Sequence, residues 1–115
     1  MRNDKENLIV NKTIDFSVNL IKFCELLETN RKHVVARQLL RAGTSIGANV
    51  FEAQNAESKA DFIHKMKIAA KDASESLYWM IICEKAEQYE FNAELKTELN
   101  QIIMILSKII SSSKS

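Results

Sequence analysis

Proline is absent from this 115-residue chain, and glycine occurs only twice. Folds made of strands and tight turns use both residues more often, because proline fixes the backbone of a turn and glycine adopts positive φ angles. The shortage of both argues against a β-rich fold. It favours long helices joined by short polar links.

Long apolar runs and an excess of one charge are also missing. The longest late run, Ile102–Leu106, is far shorter than the roughly 20 residues of a membrane span. There are 16 basic and 15 acidic residues, so the overall charge favours neither nucleic acid nor an anionic membrane. Residues 1–7 are polar and charged, unlike a signal peptide. We therefore expect a cytoplasmic protein that has no membrane partner.

Residues that carry out catalysis or bind metals are scarce. Cys24 and Cys83 are the only cysteines, and both lie among apolar residues at helical spacing, which is typical of free thiols in a core. A di-iron bundle needs two Glu-x-x-His pairs, and the only relative here is Asp61 with His64. The sequence therefore predicts no metal, no cofactor and no catalytic residue, so we expect a protein that is not an enzyme.

Apolar residues recur at helical spacing in four segments of the chain. The spacing predicts helices over about 5–28, 32–55 and 58–89, with a fourth beginning near residue 92. Predicted N-caps are Asn30, Ser58 and Asn92, and Ser58 is followed three residues later by Asp61 in a pattern like a capping box. Four helices with short links predict an all-α, up-down-up-down four-helix bundle. One domain would span residues 1–115, with ragged ends at about 1–4 and 111–115.

Two details of the first two helices bear on packing. Beside its main apolar stripe, the first helix carries a second one, which predicts a wide face buried inside the bundle. That second stripe is Val10, Ile14, Ser17, Ile21 and Cys24. In the second helix, Gly43 and Gly47 lie one turn apart, although each costs about 1 kcal/mol against alanine. They indicate either close approach by a neighbouring helix or a local bend.

Polar residues occupy positions on the inner faces of the second and third helices. A buried polar side chain is costly unless it is hydrogen-bonded, so these residues predict a bonded layer that fixes the register of the helices. The predicted polar layer comprises Ser45, Asn49, Glu52, Ser74 and Glu75. The alternative is a small-molecule pocket or an acid/base site that uses Asn49, Glu52 and Glu75.

Positive charge is concentrated in the middle of the chain. Residues 30–72 hold eight Lys or Arg against four acids. Four of these cations lie in pairs one turn apart, a spacing that can face phosphates. The candidate nucleic-acid-binding residues are Arg37, Arg41, Lys67 and Lys71. The alternative is a solvated face with local ion pairs such as Lys71 with Glu75.

Residues 41–52, Arg-Ala-Gly-Thr-Ser-Ile-Gly-Ala-Asn-Val-Phe-Glu, resemble the second-helix motif of a known bacterial family. Residues 69–75, Ala-Ala-Lys-Asp-Ala-Ser-Glu, resemble its third-helix motif, which Trp79 follows. The family consists of four-helix bundles associated with intervening sequences of 23S rRNA genes. This sequence departs from its pattern at Gly47, where proline is usual, and at Ala53, where glycine is usual.

The resemblance implies a cytoplasmic, non-enzymatic bundle that forms homopentamers. A related retroelement accessory protein binds nucleic acid and a reverse transcriptase. We therefore expect an oligomeric scaffold or adaptor whose partners are further copies of itself, with RNA or DNA as the leading ligand. Bulky side chains on flanking faces, at 50–51 and 78–79, also favour self-association. A third hypothesis is a module that binds another protein through an exposed helix face.

Overall fold

Four helices account for most of the computed structural model, which describes the backbone of residues 4–114 and the side chains of residues 8–114. They are α1 (Asp4–Thr29), α2 (His33–Ala53), α3 (Lys59–Lys85) and α4 (Ala93–Ser113). Each helix packs against two neighbours, in the order α1, α2, α3, α4 and back to α1. This arrangement confirms the predicted all-α four-helix bundle. The molecule is 46 Å long and about 20 Å wide.

Two helix starts follow the predicted capping chemistry. The Asn92 side chain accepts a hydrogen bond from the amide of Leu95 at 3.0 Å, and Ser58 accepts one from the amide of Asp61 at 3.0 Å. The Asp61 carboxylate accepts a hydrogen bond from the amide of Glu57 at 3.1 Å. A bond from Lys65, one turn later, also lowers the pKa of Asp61. Both caps leave fewer orphan amides at the start of their helix.

The predicted N-cap at Asn30 is wrong, because the end of α1 determines this turn. Arg31 adopts a left-handed backbone with φ of 63°, and the amide of Lys32 bonds back to the carbonyl of Leu27 at 2.8 Å. Lys32 becomes the residue before α2 and makes no side-chain cap. The Asn30 amide instead donates to Glu90 in the α3–α4 link at 3.4 Å.

The third helix ends at Lys85, four residues earlier than predicted. Ala86 is extended and Gln88 has a positive φ of 65°, so the chain leaves the helix there. Tyr89 then packs back against the core, and the Lys32 ammonium lies 5.0 Å from the centre of its ring. The residues of this link are compatible with a helix. The early end of α3 therefore coincides with the packing of the Tyr89 ring at the end of the bundle.

The last helix extends to Ser113, into the segment expected to fray. The Ser112 hydroxyl donates to the carbonyl of Lys108 at 2.7 Å within the final turns. Ile109 is buried and Ile110 packs against the core. These apolar contacts hold the C-terminal turns of α4 on the bundle, because burial of an apolar face stabilises a helix more than propensity does.

The core follows the predicted main stripes. Phe16, Leu20 and Leu27 of α1 are fully buried, as are eight large side chains of the other three helices. The fully buried large side chains outside α1 are Leu39, Ile46, Met66, Met80, Leu95, Leu99, Ile102 and Leu106. Cys24 and Cys83 are free and buried, as expected.

The two glycines allow α1 to approach α2 closely, and this confirms one of the two predicted roles. A Cβ at Gly43 would lie 2.1 Å from Leu20 Cδ2, and a Cβ at Gly47 would lie 3.2 Å from Thr13 Cβ. Thr13 is buried and turns its hydroxyl to the carbonyls of its own helix. The absence of side chains at these two positions sets the α1–α2 spacing.

Candidate interaction surfaces

An apolar groove runs along the outside of the bundle between α1 and α2. It consists of two adjoining hollows, of about 440 and 230 Å³, that share Ile21. Between Ile14 and Glu28 it extends about 20 Å at the helical rise of 1.5 Å per residue. The α1–α2 groove is lined by Thr13, Ile14, Ser17, Val18, Ile21, Cys24, Glu25, Glu28, Ala36, Arg37, Leu40, Gly47, Ala48, Phe51 and Glu52.

The predicted second stripe of α1 is only partly buried. Val10 and Cys24 are in the core, but Ile14 and Ile21 are more than two fifths exposed. Between residues 4 and 114, α1 contacts α2 and α4 alone, so the bundle covers one stripe of α1 and part of the next. Val18 at 49% and Phe51 at 56% exposure extend the same apolar surface onto both helices. A contiguous exposed patch of this kind marks an interaction site more strongly than scattered apolar residues do.

A second groove lies between α3 and α4. It has a volume of about 350 Å³ and carries hydroxyl groups among apolar side chains. The α3–α4 groove is lined by Ala70, Ser74, Ile103, Ser107, Ile110, Ser111 and Lys114. Tyr78 lies one turn after Ser74 and Met104 one turn before Ser107, and both are well exposed. This face therefore combines a shallow polar groove with two protruding bulky side chains.

A polar cluster joins α2 and α3 on a third side of the bundle. The Asn49 amide donates to the carbonyl of Ser45 at 2.9 Å and to the Asp72 carboxylate at 3.3 Å. Nearby, Arg41 donates to Glu75, which also accepts from the Trp79 indole at 3.4 Å. The residues are half-buried or exposed, so water reaches parts of the cluster.

Burial and the neighbouring Glu75 carboxylate raise the pKa of Asp72. The Arg41 guanidinium and the Asn49 amide oppose this effect, because each favours the ionised form. The partly desolvated Asp72 carboxylate thus accepts a hydrogen bond from Asn49 and is repelled by Glu75, as in a structural polar network.

Three of the five predicted polar-layer residues belong to this cluster, and two do not. Ser45, Asn49 and Glu75 lie at the α2–α3 junction. Glu52 is exposed and lines the α1–α2 groove, whereas Ser74 is exposed and lines the α3–α4 groove. The reason is angular: in a helix of 3.6 residues per turn, adjacent positions point about 100° apart, so Ser74 and Glu75 cannot share a face.

Asp72 is the member of the cluster that sequence reasoning missed. It was counted among the acids of residues 30–72 and quoted within the motif at residues 69–75, but it was given no role. A usable signal was present, because Asp72, Glu75 and Trp79 recur at i, i+3 and i+7 and so share one face of α3. The second stripe of α1 was predicted to be buried, but Ile14 and Ile21 are exposed. Spacing along one helix does not show how many other helices pack against it.

The four candidate cations do not form a uniform basic patch. All four are exposed, but Arg41 is paired with Glu75. Arg37 lines the α1–α2 groove beside Glu25 and Glu28. Lys67 and Lys71 lie one turn apart on α3. In the described part of the chain, Arg37, Lys67 and Lys71 form no ion pair within 4.0 Å.

The described residues form neither a metal site nor a membrane-spanning helix. Between residues 8 and 114, no group of three or more His, Cys, Asp or Glu side chains is placed to hold a metal ion. Among the four helices as described, none is long and apolar enough to cross a membrane.

The buried thiols are poorly suited to react. Burial raises the pKa of Cys24 to about 12 and that of Cys83 to about 11. The thiolate is the reactive form, so both groups are unreactive at neutral pH. Cys24 is on α1 and Cys83 on α3, and no pair of described Cα atoms from these two helices lies within 8 Å. A disulfide needs a Cα separation below about 7 Å, so the bundle does not permit one between them.

Comparison with known proteins places this architecture in one family. The profile of the 23S rRNA-intervening sequence protein family matches residues 5–111. A crystal structure from Bacteroides thetaiotaomicron VPI-5482, described as a protein of unknown function from the S23 ribosomal protein family, superposes with a TM-score of 0.86. The two chains are 36% identical, and the match covers 93% of this chain and 98% of the other. No curated protein matches the sequence.

Proposed function

The chain belongs to the 23S rRNA-intervening sequence protein family, and from that premise we propose that it is a non-catalytic scaffold that works by self-association. The observation that carries the proposal is the α1–α2 groove. Ile14, Val18 and Phe51 remain exposed there after the bundle has formed. Covering them with another copy would remove apolar surface from water, which is the main driving force of association.

The absence of a role in catalysis is part of the same proposal. Of the residues able to act as nucleophiles, Cys24 and Cys83 are buried with raised pKa values. His33 lies at the end of the bundle, where its ring contacts Glu28 at 2.5 Å. The carboxylates of Asp72 and Glu75 are engaged by Asn49 and Arg41. These contacts support a structural role for the polar cluster.

Light scattering coupled to size exclusion tests the proposal. A single copy has a mass of 13.1 kDa, and a homopentamer, as the family resemblance implies, has a mass of about 65 kDa. We expect a discrete mass that is a multiple of the single copy at micromolar concentration. A constant mass near 13 kDa across that range would reject the proposal and favour a module that binds a different protein.

Weak binding of RNA or DNA is a second candidate function. The observation in its favour is that Arg37, Lys67 and Lys71 are exposed without an ion pair in the described part of the chain. Asp72 and Glu75 lie close to Arg41, so the local positive potential is moderate. Repetition of the same cations in an oligomer would raise avidity without any better single site. Binding of this kind is sequence-tolerant and sensitive to salt.

A further inference from the structure

We propose that the α3–α4 groove binds a free nucleotide, with its phosphate near Lys67 and Lys114 and its base on Tyr78. The proposal goes beyond the scaffold function and does not depend on it, because this groove shares no residue with the α1–α2 groove. Three features carry it: serine hydroxyls without a partner, positive charge towards one end of the groove, and exposed bulky side chains at the other.

The three serine hydroxyls of the α3–α4 groove are available to a ligand. On the same two helices, the hydroxyls of Ser76 and Ser112 donate to backbone carbonyls one turn earlier, at 2.8 and 2.7 Å. The hydroxyls of Ser74, Ser107 and Ser111 are exposed and have no hydrogen-bond partner among the residues that the structure describes. Each of them can therefore donate to a phosphate oxygen or bond a sugar hydroxyl.

Positive charge lies towards one end of this groove. Lys114 is the only charged residue among the described residues that line it, and residues 100–114 contain no acid. On α3, Lys67 and Lys71 precede Ser74 by two turns and one turn, so they lie on the same side of that helix. Within the described part of the chain, none of these three ammonium groups forms an ion pair. A phosphate bound here would make charge-assisted hydrogen bonds, which are the stronger kind.

The other end of the groove carries two exposed bulky side chains. Tyr78 is 57% exposed one turn after Ser74, and Met104 is 60% exposed one turn before Ser107. The Trp79 ring meets the Tyr78 ring edge to face, with 5.2 Å between the ring centroids. An exposed aromatic ring is a surface on which a nucleobase stacks, and a methionine thioether packs well against ring edges.

The order of these groups along the groove matches the order of groups in a nucleotide. Ammonium groups, hydroxyls and an aromatic ring follow one another, as phosphate, sugar and base do. A strand of RNA or DNA repeats its phosphates, so it needs cations along its whole path. Residues 72–82 of α3 and 97–107 of α4 contain no lysine or arginine. This separation of charge favours a ligand with one charged end over a strand.

Titration of the full chain with adenosine 5′-monophosphate tests the proposal. Trp79 is the only tryptophan and contacts Tyr78, so its fluorescence reports a base bound there. We expect a saturable change, and we expect adenosine alone and inorganic phosphate alone to bind more weakly. No saturable change in fluorescence and no heat of binding by calorimetry at millimolar nucleotide would overturn the proposal.

Two substitutions separate the phosphate end from the base end, with affinity measured by calorimetry. Lys67→Gln is expected to weaken the monophosphate about tenfold and to leave adenosine unchanged, whereas Tyr78→Ala should weaken both about tenfold. The matched controls are Lys22→Gln on α1 and Val34→Ala on α2, which should bind like the parent. All four positions are exposed, so helicity by circular dichroism should match the parent. Unchanged affinity in both groove variants would place the ligand elsewhere and overturn the proposal.

Two further measurements distinguish this proposal from the functions proposed above. An oligoadenylate that binds about tenfold more tightly per nucleotide than the monophosphate would overturn the choice of a free nucleotide and favour the strand-binding function. Light scattering on the same samples gives the mass of the protein. A single copy that still binds the nucleotide in a Tyr78-dependent way would support the site while rejecting the scaffold.

Discussion

Arg41 of α2 donates a hydrogen bond to Glu75 of α3, across the junction of the two helices. The sequence had assigned the two residues to different groups, one to a basic surface and the other to a polar layer. Glu75 also accepts from Trp79, and the charges of Arg41 and Glu75 act on Asp72, which is bonded to Asn49 beside them. The pairing also occupies the guanidinium that was expected to be available to phosphate.

Replacing Glu75 with alanine is expected to cost less than about 1 kcal/mol of unfolding free energy. The reason is exposure, since the Arg41 and Glu75 side chains are 54% and 37% accessible and water can solvate the released cation. Urea unfolding of parent and variant measures the difference. A loss of 2 kcal/mol or more would indicate that Trp79 or Arg41 depends on this carboxylate much more strongly than its exposure suggests.

Removal of one cation is expected to affect polyanion binding differently at two positions. Lys71→Gln removes an exposed ammonium that forms no ion pair among the described residues, so the slope of log affinity against log salt for a single strand should fall in magnitude by about 0.7. Arg41→Gln should leave the slope nearly unchanged, because Arg41 is engaged with Glu75. Fluorescence anisotropy with a labelled single-stranded RNA, titrated at several salt concentrations, gives both slopes. Equal slopes for the two variants would contradict the distinction.

Replacing Asp72 with asparagine is expected to stabilise the protein at neutral pH. The folded protein binds the Asp72 proton more tightly than the unfolded chain, because the folded pKa is raised above the usual 3.8. Stability from this group is therefore present below pH 3.8 and is lost as pH rises through the folded pKa. Asparagine removes that loss and still offers an oxygen to Asn49.

The measurement for Asp72→Asn is melting temperature as a function of pH. The variant should melt above the parent at pH 7, and the gap should close as the pH falls towards 3.8. Asp15→Asn, which removes an exposed carboxylate from α1, is the matched control and should show a smaller change. A variant that melts below the parent at pH 7 would mean that the bond from Asn49 outweighs the desolvation of the carboxylate.

Alanine substitutions at the two glycines are expected to have different effects. Gly43→Ala places a methyl group against the fully buried side chain of Leu20. Overpacking of this kind lowers the unfolding free energy by about 1–3 kcal/mol, which exceeds the roughly 1 kcal/mol that alanine gains in helix propensity. We therefore expect Gly43→Ala to destabilise the protein. Gly47→Ala meets Thr13 at 3.2 Å, so a small shift and the same gain in propensity nearly cancel. Chemical denaturation of both variants tests the contrast. Equal free energies of unfolding would show that Leu20 moves aside without cost.

The thiols of Cys24 and Cys83 are expected to resist labelling in the native protein. A disulfide-exchange reagent such as 5,5′-dithiobis(2-nitrobenzoate) should react only as fast as the bundle opens, and should titrate two thiols at once in guanidinium chloride. Oxidant should produce no intramolecular disulfide by non-reducing mass spectrometry. Rapid labelling in buffer would show that α1 or α3 opens locally.

The sequence alone determined the number of helices, the main buried stripe of each helix and two of the N-caps. These features are local, since they depend on apolar residues at 3.6-residue spacing and on side-chain oxygens placed before orphan amides. The motif at residues 41–52 also identified the family correctly. The sequence likewise indicated close packing at Gly43 and Gly47, although it left a bend as an alternative.

Only the tertiary structure decided which polar and apolar residues meet and which remain exposed. Asn49 reaches Asp72 and Arg41 reaches Glu75 because α2 and α3 pack side by side in one register. Ile14 and Ile21 remain exposed because α1 packs against two helices in the described structure, and neither neighbour covers that edge. Spacing along a chain fixes the direction of each side chain around its own helix. The partner in that direction depends on residues distant in sequence, so the α1–α2 groove emerges only when the helices are assembled.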